Sequence, residues 1–115
     1  MDASIVVPLS DAHAGPFVPF RPGIDIRIVY GTPGSGGPAA AFLRYRPGAV
    51  LAPHEHAGHE HIFVLSGSQS DERGTYPAGT FIVNPPGSRH TVRSTDGCIV
   101  LVIWAEPVRY LGESK

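Results

Sequence analysis

The sequence predicts an all-β domain, a small closed barrel or jelly roll. Three observations carry this expectation. Apolar residues alternate with polar ones or fall in short continuous runs, and no segment shows the 3.6-residue period of a helix. Twelve prolines and fourteen glycines are spread along the chain as punctuation and form no tract. The segments between them read as about eight to ten short strands with close turn spacing, the pattern of a barrel closed on itself. At 115 residues the chain is one domain, with residues 1–20 an N-terminal arm or edge strand and residues 21–110 the barrel core.

The elements follow in order. Ile5-Val-Val-Pro-Leu9 reads as an edge strand, exchanged between subunits, or as a tail packed on its own barrel. Ile24 to Ile28 alternates, with Ile24, Ile26 and Ile28 on one face and Asp25 and Arg27 on the other. Gly31 to Pro38 is a flexible turn, a hairpin loop or a lid. Ala39 to Arg46 reads as a strand ended by Pro47-Gly48. Residues 54–56 read as a short strand and His61 to Ser66 as another, with Gly67 as the turn after it. Asp71-Glu72-Arg73-Gly74 forms a hairpin turn, and Pro77-Ala78-Gly79 a second turn. Thr80 to Val83, His90 to Arg93 and Cys98 to Trp104 complete the strands. Ile62 to Leu65 and Cys98 to Trp104 are apolar on both faces, so something must cover their outer side. A second copy of the chain is the simplest cover, which makes a homodimer the expected assembly.

Composition removes several function classes. A net charge of −1 without a basic block offers nothing to nucleic acid or anionic lipid. No apolar run approaches the ~20 residues of a membrane span, and no signal-peptide pattern opens the chain. The expected setting is the cytoplasm. A single cysteine, Cys98, excludes an internal disulfide and a Cys-based zinc site.

Five of the six histidines lie between positions 54 and 90. The first run is Gly48-x5-His54-x-His56-x3-Glu60-x6-Gly67, answered by Gly79-x5-Pro85-x-Gly87-x2-His90. His54 and His56 are two apart on a strand and share a face, and Glu60 keeps their parity. His90 must arrive on another strand, brought back by the Pro85–Gly87 turn. Three imidazoles and one carboxylate suit one divalent transition metal per chain (Fe, Mn, Zn, Ni or Co) and not calcium, which prefers oxygen donors. Four donors leave two positions of an octahedron for a small-molecule substrate or O2. Arg44 and Arg46 share the more polar face of their strand and are expected to point outward, while Trp104 and Tyr76 are read as core.

Both runs resemble the two signature motifs of the cupin superfamily, double-stranded β-helix (jelly-roll) barrels. One departure stands out: the asparagine usual four residues after the second motif's histidine is Ser94 here. A narrower resemblance runs from Leu43 to Tyr110, carried by FVLSG, SDERGTYPAG, NPPGSRH and DGC. These are similar to the cupin domain of ChrR-type anti-sigma factors and to related single-domain cupins, among them diketone and acetophenone dioxygenases. The resemblance implies His54, His56, Glu60 and His90 as metal ligands. It does not carry the anti-sigma activity, because residues 1–47 hold no helical zinc-binding pattern.

The expected function is that of a metal-dependent enzyme of dioxygenase type. A β-dicarbonyl or hydroxy-ketone enolate would bind through two oxygens, with the metal as Lewis acid and template. His59, in the turn at the barrel mouth, is a candidate base, with a hydroxide held by the ion as the other. His61, on the opposite parity, is expected on the outer face. The alternative is a non-catalytic module that senses a metal or small molecule, and a third reading is a barrel in which the metal only stabilises the fold.

Overall fold

A computed structural model describes residues 3–112. Ten strands follow in chain order: β1 Val18–Arg21, β2 Ile24–Tyr30, β3 Ala39–Tyr45, β4 Ala49–His56, β5 Glu60–Asp71, β6 Gly74–Pro77, β7 Phe81–Asn84, β8 Arg89–Ser94, β9 Cys98–Trp104 and β10 Val108–Tyr110. Among the described residues the helical content is one 3-10 turn, Leu9–Asp11. The all-β barrel expected from the sequence is the observed fold. No helix among the described residues is long and apolar enough to cross a membrane.

Two antiparallel sheets face each other. One runs β1-β2-β3-β9-β5-β7, the other β6-β5-β8-β4-β10. β5 belongs to both, and Gly67 is where it changes sheets. The register slips between Val64 and Ser66, and Gly67 takes φ +69°. Such a bulge bends a strand and shifts its inward parity by one residue. Before it Ile62 and Val64 point inward; after it Gln69 does. The sequence reading ended a strand at Gly67. The chain continues in extended form because the bulge redirects it and does not terminate it.

A second bulge lies in β4. The register shifts between Leu51 and His54, and both are buried although three positions apart. Pro53, which has no N–H for a ladder, sits inside this irregularity, where a strand tolerates it. The strand read over 54–56 therefore begins earlier, at Ala49, and carries Leu51 as floor below His54 and His56. At its far end β8 closes on Ser94, whose hydroxyl donates to the Ser68 carbonyl at 2.6 Å, so the departure at Ser94 leaves the strand's end secured.

The interior is built from Ile24, Ile26, Leu43, Ile62, Val64, Val100 and Val102, all nearly inaccessible. Cys98 belongs to this core, and burial pushes its thiol up to about 11, a small hydrophobe and not a reactive thiolate. Burial along β2 does not follow its alternation alone. Ile28 is exposed, since β1 pairs β2 only as far as Ile26. Asp25 is buried on the outer side, where Arg44 donates to it at 2.9 Å and holds its carboxyl below the usual range. Arg44 and Arg46 thus both face outward, as the sequence predicts.

Ile5 to Leu9 forms no strand; Pro8 lacks a ladder donor and a 3-10 turn follows. The arm lies on its own barrel. Arg27 donates to the carbonyls of Asp11 and Ala14 while stacking over Phe42, and Phe17 lies against Arg44. This covers the outer face of β2 and β3 and leaves that of β5, β7 and β9 open. There Phe63, Phe81 and Leu101 form one cross-strand row and His61, Val83 and Ile103 the next.

Candidate metal centre

The three histidines arrive from adjacent strands. β4 and β8 pair so that His54 stands directly opposite His90, and His56 follows two residues after His54 on the same inward face. Glu60 opens β5 across the barrel, in one row with Asn84 and Trp104. All four residues are 5% exposed or less, which removes the reading of solvated surface histidines. Among the described residues, His54, His56 and His90 offer ring nitrogens within 4.8 Å of one another.

Proton bookkeeping at the rings shows what this cluster is suited to. His54 Nδ1 lies 2.8 Å from the Ala52 carbonyl, exposed by the β4 bulge, and must donate to it. His90 Nδ1 lies 3.0 Å from Asp71 Oδ2 and donates to that carboxylate. His56 Nδ1 lies 2.9 Å from Ser88 Oγ and 3.1 Å from the Ser88 carbonyl. The Ser88 hydroxyl proton is committed to Pro85 O at 2.6 Å, so His56 is the donor there too. Each Nδ1 is the donor, so a ring in its neutral form turns an Nε2 lone pair to the middle.

These lone pairs face one another without protons between them. His54 Nε2 and His90 Nε2 are 3.0 Å apart. His56 Nε2 is buried without an aligned hydrogen bond, although Glu60 Oε1 lies 2.9 Å away. Such an arrangement is repulsive unless a cation occupies its centre. Burial lowers the pKa of His54, and the neighbouring His90 adds to this, which keeps the ring neutral and able to ligate. Burial opposes the charge on Glu60, while positive charge placed at His56 and His54 and a hydrogen bond from Asn84 favour it. Three neutral nitrogens beside a carboxylate fit a divalent transition ion.

His54, His90 and Glu60 border a cavity of about 120 Å³. Its walls are mainly apolar, among them Phe20, Leu43, Ile62, Val102 and Trp104. Polar groups enter at few points. Tyr45 and Gln69 face inward from β3 and β5, and Arg21 and Tyr110 lie against each other with the guanidinium 3.6 Å from the ring centre. Burial raises the Tyr45 hydroxyl well above its usual value, so it stays a donor. Pro33, Gly34 and Gly37 place the glycine-rich turn in the cavity wall.

His59 is not brought to this cavity. It is exposed, and its ring stacks on His61, which stacks in turn on Phe81 on the outer face. Several site residues escaped sequence reasoning. Asp71 read as a turn residue because the Gly67 bulge, which turns it inward, carries no sequence signal beyond the glycine itself. In the sequence Asn84 opens a Pro-Gly turn and Ser88 follows it, and neither carries a signal of its own. Arg21 was not weighed, whereas Arg44, on a clearer strand, was.

Solved structures share this architecture. An acetylacetone dioxygenase from Acinetobacter johnsonii superposes with a TM-score of 0.79 at 20% identity, over 98% of this chain and 81% of that one. An RmlC-like cupin from Ralstonia eutropha gives 0.74 at 21% identity, over 85% of this chain and 68% of that one. Anti-sigma ChrR of Rhodobacter sphaeroides, in complex with SigE, gives 0.68 at 24% identity over 80% of this chain. This chain spans 49% of the matched chain in that complex. At these identities the likeness is one of fold. No curated protein matches by sequence. A family model, the ChrR cupin-like domain, matches residues 6–106, most of the chain. The barrel, the histidine cluster and this match together place the chain in the ChrR cupin-like domain family.

Proposed function

We propose that the protein is a metal-dependent enzyme of dioxygenase type, acting on a small carbonyl compound or its enolate, with His54, His56, Glu60 and His90 as the metal ligands. The observation that carries this reading is the cavity of about 120 Å³ lined by His54, His90 and Glu60. A barrel using a cation only for stability has no need of that space, so the cavity speaks against a purely structural role. A divalent transition ion bound there supplies Lewis-acid charge and open coordination positions for two substrate oxygens and O2. The apolar wall of Ile62, Val102 and Trp104 excludes water from a reactive enolate. The Tyr45 hydroxyl, held protonated, donates to a substrate oxygen. His59 has no place in the chemistry as long as it stacks on His61 outside the cavity. The likeness to the Acinetobacter dioxygenase supports this reading.

The test is O2 consumption by iron(II)-loaded protein offered small β-dicarbonyl compounds. Oxidative cleavage takes up one O2 per substrate and leaves one of its oxygen atoms in each fragment. Uptake with that stoichiometry, absent from the zinc-loaded protein, is the expected result. A second reading, a sensing module without turnover, is favoured by the match to the ChrR cupin-like family. Saturable binding of the dicarbonyl with no O2 loss would replace the enzyme by the sensor.

The same reading includes a second copy of the chain on the open outer face. Phe81 and Val83 are 52% and 47% exposed there, within the ring ladder His59–His61–Phe81–Phe63. Contiguous apolar surface of this kind favours association. Sedimentation should find a dimer that Phe81→Asp converts to monomer without loss of metal uptake; a monomeric parent protein would end the dimer assignment.

A further inference from the structure

We propose that Arg73, on the turn between β5 and β6, is a positioning residue for the metal centre: its guanidinium joins the partner of His90 to the partner of Glu60. The inference rests on the ligand set proposed above and concerns how that set is held. Arg73 Nη2 lies 3.6 Å from Asp71 Oδ2 and 3.4 Å from Asn84 Oδ1. Asp71 Oδ2 accepts from His90 Nδ1 at 3.0 Å. Asn84 Nδ2 donates to Glu60 Oε1 at 3.0 Å. One exposed cation therefore stands behind two buried groups, an acceptor and a donor, that come from different strands.

An arginine on a hairpin turn is ordinarily a solvated charge. Two features set this one apart. Its partners are buried, with the Asp71 side chain 4% and Asn84 1% exposed. The turn that carries it is also clasped to β8. The Glu72 carboxylate accepts the Thr91 N–H at 3.0 and 3.1 Å, and Asp71 Oδ1 accepts from Tyr76 Oη at 3.0 Å and the Arg73 N–H at 2.9 Å. The guanidinium is held where it can act.

Its action on Glu60 runs through the polarity of one amide. With Arg73 in place, Asn84 turns its oxygen to the cation and its NH2 to Glu60. The flipped amide would set NH2 against guanidinium and oxygen against carboxylate, two repulsive contacts. Arg73 thereby keeps a hydrogen-bond donor on Glu60. On the other side its charge lies against Asp71, which fixes the orientation of the His90 ring. Groups that orient metal ligands in this way commonly change metal affinity by about 10–100-fold when removed.

Cobalt(II) is the probe, titrated into the full chain against a competing chelator with its visible spectrum recorded. Arg73→Met keeps the stem and removes the charge. Affinity should fall by about tenfold or more, with altered cobalt bands, and Arg73→Lys should restore much of both by returning a cation to the same place. A role confined to the stability of the hairpin would lower the melting temperature of the metal-free protein and leave the cobalt bands unchanged; that outcome, or cobalt affinity in Arg73→Met equal to the parent's, overturns the inference alone. Failure of the parent protein to bind cobalt at all overturns the ligand set as well.

Discussion

Replacing His54 or His90 by alanine is expected to abolish stoichiometric uptake of a divalent transition ion, while His61→Ala leaves uptake intact. The reason is positional. His54 and His90 face each other across β4 and β8 with Nε2 atoms 3.0 Å apart, whereas His61 is on the outer face against Phe81. Loss of one nitrogen donor from such a set weakens binding by on the order of a hundredfold or more, since the binding energy is shared among few ligands. The two alanine variants should remain folded, because each change removes one of three facing lone pairs and with it their repulsion. Metal content after loading and desalting, with circular dichroism as the control for fold, decides the matter. Equal uptake by all three variants would refute the ligand assignment.

The second large effect is on stability. Gly67→Ala should destabilise the barrel by on the order of 3–5 kcal/mol, through overpacking against backbone and a strained dihedral together. A Cβ at this position would lie 2.0 Å from Gly97 O and 2.9 Å from the Cys98 Cα, backbone atoms that cannot move aside cheaply. Its φ of +69° adds the cost of a left-handed residue with a side chain, about 1–2 kcal/mol. Gly48→Ala is the internal control. Its φ is +84° but nothing lies within 4 Å of the added carbon, so only the dihedral cost of about 1–2 kcal/mol applies. Urea unfolding of the two variants should separate them clearly, and similar midpoints would show that the close approach of β9 to Gly67 is not rigid. Because Gly67 also turns Asp71 inward, Gly67→Ala should loosen metal binding as well.

Much of this protein is legible in its sequence. Period-two apolar patterning placed the strands, since burial of one face of a strand writes itself into alternate residues. Cys98 to Trp104 was read with the bounds it has in the structure. Donor chemistry and spacing singled out His54, His56, Glu60 and His90, and the structure brings these side chains together in the barrel. The family resemblance is not needed to put His54 and His56 on one face, which parity alone requires.

The misses at Leu51 and Asp71 share one cause. Parity counts along a strand, and a bulge resets the count without announcing itself. Ala52–Pro53 and Leu65–Ser66 each insert one residue, so His54 joins Leu51 on the inner face and Asp71 joins Gln69. Asp71 and Arg73 therefore looked like ordinary turn residues. Ile5 to Leu9 looked like an edge strand because its apolar content was weighed above the missing donor at Pro8.

By itself the sequence determined the fold class, the positions of most strands and the residues of the proposed donor set, because these depend on local periodicity and residue type. Only the tertiary structure decided which nitrogen of each ring faces the centre. It also decided that a cavity remains beside them, and that Arg73 stands behind both His90 and Glu60. Those outcomes depend on pairing between strands distant in the chain and on where the backbone bulges, and neither is encoded in any short window of residues.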